Sequence, residues 1–198
     1  MEDFNYPINF TFHISTLSND FTATNSQGKT IAYVKQKMFK LKEDITVYNN
    51  ENKTQVNYKI NADRWIDFSA AYSIKNSSNV EIGKVARKGW KSIWKAEYEI
   101  INKHQKLKYR IKEDNAWIKV LDGLLGQIPV LNIFTGYFFN PSYSVIDLQN
   151  KPILRMKKEA SFFGRKFQVA KLVSTDIEDD ESILLSLMMM VLLERRKG

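Results

Sequence analysis

At 198 residues, with 43% hydrophobic and 13% aromatic side chains, the chain has the size and apolar content of one folded domain rather than a disordered segment. It contains no cysteine, which excludes disulfides, thiolate-bound zinc, iron–sulfur clusters and a cysteine nucleophile. The net charge of +8 is uneven: five of the 22 acidic residues fall within 176–181, which leaves 30 basic against 17 acidic residues, a net +13, on the rest.

Taken in chain order, the N-terminus Met1-Glu2-Asp3-Phe4 carries acid where a secretory signal needs base, and no apolar run follows it. A cytoplasmic protein, at most peripheral to a membrane, is the expectation. Period-two alternation then dominates. Ile8, Phe10, Phe12 and Ile14 face one way, with Asn9, Thr11 and His13 opposite. Strand-like runs follow at Thr30 to Phe39, Asp44 to Tyr48 and Val56 to Ile60. Ile66, Phe68, Ala70, Tyr72 and Ile74 form another apolar face, then come Glu81 to Arg87, Trp94 to Ile100 and Leu107 to Lys112. Short turns rich in Asn and Gly separate them: Asn25-Ser26-Gln27-Gly28, Asn49 to Asn52, and Asn76 to Asn79.

Residues 116–126 break the pattern. Trp117, Ile118, Leu121, Leu124 and Leu125 recur at helical spacing, predicting a short amphipathic helix that ends near Gly126. Ile128 to Phe139 follows as a greasy segment, either core under that helix or the lining of a ligand cavity. Strand patterns resume at Ser142 to Leu148, Ile153 to Lys157 and Lys166 to Val173, with Leu148-Gln149-Asn150-Lys151 as a further turn. Roughly a dozen strands at this spacing, with no linker between them, predict one antiparallel barrel or sandwich over 1–198.

The last element chooses between the two. Ile183 to Leu193 is apolar throughout except for Ser186, with acids before it and Arg195, Arg196 and Lys197 after it, as a helix dipole prefers. A helix apolar on all sides must be buried on all sides. Eleven residues rise only ~16 Å, far short of the ~30 Å hydrocarbon core of a bilayer. The pattern therefore predicts a closed antiparallel barrel of about twelve strands around a central hydrophobic C-terminal helix near 180–196. Met188, Met189 and Met190 suit the irregular gaps of such a centre.

Several of these segments resemble the tubby C-terminal-like superfamily, and within it the LURP-one-related branch. The resemblance is carried by Ile31-Ala32-Tyr33-Val34-Lys35-Gln36-Lys37, Phe39-Lys40-Leu41-Lys42-Glu43, Ile45-Thr46-Val47-Tyr48, Ile82-Gly83-Lys84-Val85, Pro141-Ser142-Tyr143 and the terminal Ile183 to Arg196 helix. It implies a twelve-stranded barrel around a central helix. Relatives in the superfamily include phosphoinositide-binding tubby proteins, phospholipid scramblases and plant defence-associated proteins, so activity does not follow from the fold.

Catalytic constellations are poor. His13 and His104 lie far apart in sequence, one on a polar strand face and one in a turn, and no nucleophile elbow, phosphate-binding loop or dinucleotide fingerprint is present. Glu97 and Glu99 share one strand face, where such neighbours are ordinarily solvated. The run Asp176 to Glu181 has carboxylates for a hard cation but lacks EF-hand spacing and its glycine; capping of the helix by Asp179 or Asp180 is the simpler reading. A non-catalytic protein without cofactor or metal is expected.

The basic residues carry the leading hypothesis. Lys106, Lys108, Arg110 and Lys112 alternate with apolar residues, placing four cations on one strand face, while Lys84, Arg87, Lys88, Lys91 and Lys95 lie on the preceding hairpin. Neighbouring strands run ~5 Å apart, so these charges can merge into one anion-binding patch. The expected partner is an anionic membrane surface, through phospholipid or phosphoinositide-like headgroups; an adaptor for an acidic protein partner is the alternative. A scramblase-like role is disfavoured by the lack of a membrane-spanning segment and of a palmitoylatable cysteine. Trp90 and Trp94 could stack bases, but no established nucleic-acid signature accompanies them, and Trp in an alternating strand is more often core.

Overall fold

A computed structural model describes residues 4–14, 19–37, 44–62, 71–88, 97–114, 141–159 and 166–195. They form twelve strands: β1 (Ile8–Phe12), β2 (Asn19–Thr24), β3 (Thr30–Gln36), β4 (Asp44–Tyr48), β5 (Val56–Ala62), β6 (Ala71–Asn76), β7 (Glu81–Arg87), β8 (Glu97–Asn102), β9 (Leu107–Glu113), β10 (Ser142–Ile146), β11 (Pro152–Glu159) and β12 (Lys166–Lys171). One helix, α1 (Ile177–Arg195), follows. Each strand pairs antiparallel with its neighbours in sequence, and β1 pairs with β12 through Ile8↔Val169 and Phe10↔Phe167 to close the barrel. Closure removes every sheet edge.

The alternation read from the sequence decides which side chains enter the barrel. Phe10, Phe12, Phe21, Val34, Ile45, Ile60, Ile74, Tyr98, Ile111, Leu154 and Val169 are buried in one continuous core. Helix α1 supplies the middle of that core. From Ile183 to Leu192 every side chain is solvent-excluded, as a helix apolar all round requires and the interior of a closed barrel provides. Ser186, the one polar residue there, donates its hydroxyl to the Ser182 carbonyl at 2.7 Å, so no donor is stranded.

One end of the barrel is built from a recurring hairpin. The connections β2–β3, β6–β7, β8–β9 and β10–β11 are one turn repeated four times. In each, the side-chain oxygen of Asn25, Asn76, Asn102 or Asp147 accepts from the amides two and four residues on. Its main-chain carbonyl accepts from the residue three on, and that residue (Gly28, Asn79, Gln105 or Asn150) has positive φ. These are three-residue hairpins closed by a left-handed residue. In an up-and-down meander they all fall at the same end, where β12 also finishes and α1 enters.

Two expectations need correction, and one strand was missed. A strand at Asn19–Thr24 was not legible, because only Phe21 and Ala23 point inward from it. Ile14 does not continue the apolar face of β1; it lies past the strand end and is 55% exposed. The helix begins at Ile177, and its cap is neither Asp179 nor Asp180 but Asp176, whose Oδ1 accepts the Asp179 amide at 2.7 Å. The expected amphipathic helix at 116–126 and the segment Ile128 to Phe139 lie outside the described residues.

Candidate functional site

The outward side chains of β7, β8 and β9 meet on one wall of the barrel, but not as a field of like charge. Register sets Glu99 opposite Arg110 and Glu97 opposite Lys112. Lys88 lies 3.7 Å from Glu97 and 3.4 Å from Glu99, and Arg110 Nε lies 3.7 Å from Glu99. Lys84 pairs with Glu81 at 3.6 Å. Burial alone would raise the Glu81 carboxyl, but hydrogen bonds from Ser73 and Gln105, together with the Lys84 charge, outweigh it and hold the group below the usual range. Lys108 reaches Asp179 of the helix at 3.4 Å. The glutamates of β8 thus interleave with the cations, a cross-strand pattern that the order of residues along one strand does not reveal.

The remaining residues of the basic set scatter. Arg87 has the inward parity of β7, paired with the buried Tyr98, so it belongs to the barrel interior near the helix C-terminus rather than to the outer wall. Lys106 sits in the turn before β9 and is exposed. Lys112 stays on the wall, opposite Glu97 on one side and Ser144 on the other. Lys91 and Lys95, with Trp90 and Trp94, lie outside the described residues.

The wall continues past β9 with groups the sequence reading did not single out. Ser142 and Ser144 point outward from β10, and Arg155 and Lys157 outward from β11, directly opposite them. Asp114, just beyond β9, receives hydrogen bonds from Ser142 Oγ at 2.8 Å and Ser144 Oγ at 2.7 Å, and lies 3.7 Å from Arg155 Nε. The alternation of Arg155 and Lys157 with Leu154 and Met156 was a usable signal for outward cations. Their meeting with Asp114, some forty positions earlier in the chain, was not.

The acidic run that opens α1 is spent on holding the helix. Asp176 caps it, Lys103 pairs with Glu178 at 3.0 Å, and Lys171 pairs with Asp180 at 2.6 Å. Thr175 also bonds Asp180, and Tyr109 donates to Asp179 at 2.6 Å. At the far end Tyr98 donates to Glu194 at 2.6 Å. Burial, then the neighbouring carboxylate, raises the phenols of Tyr58 beside Glu181, Tyr98 beside Glu194 and Tyr109 beside Asp179. Tyr6 beside Asp180 is raised in the same way. Among the described residues no group of three or more His, Cys, Asp or Glu is placed to hold a metal ion.

The two histidines stay apart. His104 occupies the β8–β9 turn, while His13 bonds Thr22 at 2.7 Å, whose hydroxyl donates to Glu51 at 2.7 Å. Beside them, Tyr33 donates to the buried Asp20. Among the described residues no helix is long and apolar enough to cross a membrane.

The LURP-one-related family model matches residues 30–169, a span from β3 into β12. No curated protein and no solved structure matches the chain.

Proposed function

The chain belongs to the LURP-one-related family, and on that premise we propose that it is a non-catalytic binding module whose outer barrel wall engages anionic phospholipid headgroups. The observation that supports this most is the cation content of β9 to β11. Lys108, Arg110 and Lys112 stand outward on β9 and Arg155 and Lys157 on β11, either side of the serines of β10, with Asp114 and Glu159 as the acids among them. With strands ~4.8 Å apart, such a row spans headgroups lying side by side at a membrane surface. Lys108, Arg110 and Arg155 are engaged by Asp179, Glu99 and Asp114, so the wall's available charge rests chiefly on Lys112 and Lys157, with Lys106 at its margin.

Vesicle flotation tests the reading. The protein should float with vesicles containing phosphatidylserine, not with neutral ones, and salt should release it. Lys112→Glu with Lys157→Glu removes two contributions of about 1 kcal/mol each, so partitioning should fall by more than about tenfold. Reversing Lys108 or Arg110 instead would break structural ion pairs. Unchanged flotation by the folded double variant, or equal binding to neutral vesicles, would refute the proposal.

A second reading, docking of a partner protein, draws on the turn end, where Val80, Leu148, Leu172 and Ile177 are exposed. Scattered exposed apolar residues are ordinary; their gathering at one end favours a contact there. Changing Leu148, Leu172 and Ile177 to Ser should then abolish capture of the partner while leaving flotation intact. Retained capture would remove this reading.

A further inference from the structure

Asp114 lies among more donors than it engages. Its two oxygens take the Ser142 and Ser144 hydroxyls at 2.8 and 2.7 Å. The enclosed Arg155 Nε lies 3.7 Å from Oδ2, near enough for an ion pair but too far for a hydrogen bond, and has no hydrogen-bond partner among the described residues. Lys112 stands in register with Ser144 on one side, and Lys157 with Ser142 on the other. Arg155 and two hydroxyls therefore meet one carboxylate with a guanidinium N–H unspent, while Lys112, which also faces Glu97, and Lys157 hold the flanking register positions. A carboxylate presents two oxygens; a phosphate monoester presents three terminal oxygens and nearly twice the charge at neutral pH.

We propose that Ser142, Ser144 and Arg155, flanked by Lys112 and Lys157, form a phosphate-group site in which the Asp114 carboxylate is the resident counter-anion. This rests on the reading of the β9–β11 wall as anion-binding and sharpens it from a diffuse field to a site with geometry. The Asp114 backbone is anchored independently, its amide donating to the Ser142 carbonyl at 2.8 Å, while its side chain is part-exposed at 20%. A side-chain rotation therefore frees the hydroxyls and Arg155 without moving the strand. Asp114 sets a threshold: a weakly charged anion fails to displace it, whereas a phosphate monoester satisfies more of the donors. The guanidinium fork suits phosphate better than a point charge does.

The experiment uses the full chain, with Asp114→Asn, Asp114→Asn combined with Ser142→Ala and Ser144→Ala, and Asp114→Asn combined with Arg155→Lys. Probes are vesicles carrying phosphatidic acid, vesicles carrying phosphatidylserine at matched surface charge, and inorganic phosphate by calorimetry. Removing one like charge next to the ligand should tighten phosphate binding about five- to tenfold. The serine substitutions, neutral in charge, should abolish that gain yet leave phosphatidylserine flotation unchanged. Arg155→Lys keeps the charge but loses the fork, and should do the same if the serine variant does not fold. Tightened binding of inorganic phosphate identifies a free phosphate as a sufficient ligand; tightening confined to phosphatidic acid vesicles identifies a lipid headgroup. No gain in Asp114→Asn, or a gain that survives both companion variants, overturns the site. If phosphatidylserine flotation persists in that case, the wall reading stands without it. If the wild-type chain floats with neither lipid, the wall reading falls, and the phosphate titration judges the site alone.

Discussion

Leu187 tests whether the helix truly occupies the centre of the barrel. Its side chain is 0% exposed, one turn from Ile183 and Val191, which are enclosed as well. Leu187→Ala deletes three buried carbons and leaves a cavity that close-packed neighbours fill only in part, a cost of about 2–5 kcal/mol. Against a net stability of about 5–15 kcal/mol, that is a large fraction. For a domain of this size it lowers the melting temperature by about 5–20 °C. Leu187→Asp adds an unpaired carboxylate to the same place, and the desolvation penalty should leave the chain molten or insoluble. Ile177 on the same helix is the control, because it is 73% exposed. Ile177→Asp, at the positive end of the helix dipole, should change stability by less than about 0.5 kcal/mol. Near-ultraviolet circular dichroism and thermal melting of the three variants decide the matter. A soluble Leu187→Asp protein that melts cooperatively within a few degrees of wild type would refute the enclosed helix.

Three further outcomes follow from particular contacts. Gly83→Ala would place its Cβ 2.7 Å from the Ile101 main-chain oxygen in the adjoining strand, so β7 and β8 must part; chemical denaturation should show a loss of about 1–3 kcal/mol. Asp176→Ala removes the cap of α1 and should cost about 0.5–2 kcal/mol by urea titration, while Asp176→Asn should cost much less. Stability should also fall as pH rises past about 10. The phenols of Tyr58, Tyr98, Tyr109 and Tyr143 are raised in the folded chain, chiefly by burial, so the unfolded chain loses its protons first. Their contribution is fully present below that pH, and the ultraviolet phenolate signal of these residues should appear only together with unfolding. A phenolate signal that precedes unfolding would contradict their burial beside carboxylates.

By itself the sequence determined the architecture. Alternation such as Ile8, Phe10 and Phe12 has only one meaning on a pleated strand, and the apolar run Ile183 to Leu193 is too short to span a bilayer and too uniform to lie on a surface. Where that signal thinned, legibility failed: β2 shows just Phe21 and Ala23 to the core, although the turn at Asn25 to Gly28 requires a strand before it. The cap was misplaced because Asp176, Asp179 and Asp180 are equivalent as letters, and their roles differ through Lys171, Tyr109 and the start of the helix. For the candidate site, the cations themselves were visible but their company was not. Lys88 and Arg110 share Glu99, Arg87 turns inward, and Asp114 meets Ser142, Ser144 and Arg155 across three strands. Burial is written residue by residue, because each side chain's hydrophobicity and the period of its element suffice to orient it. Charge pairing depends on register between strands distant in sequence, and only closure of the barrel fixes that register.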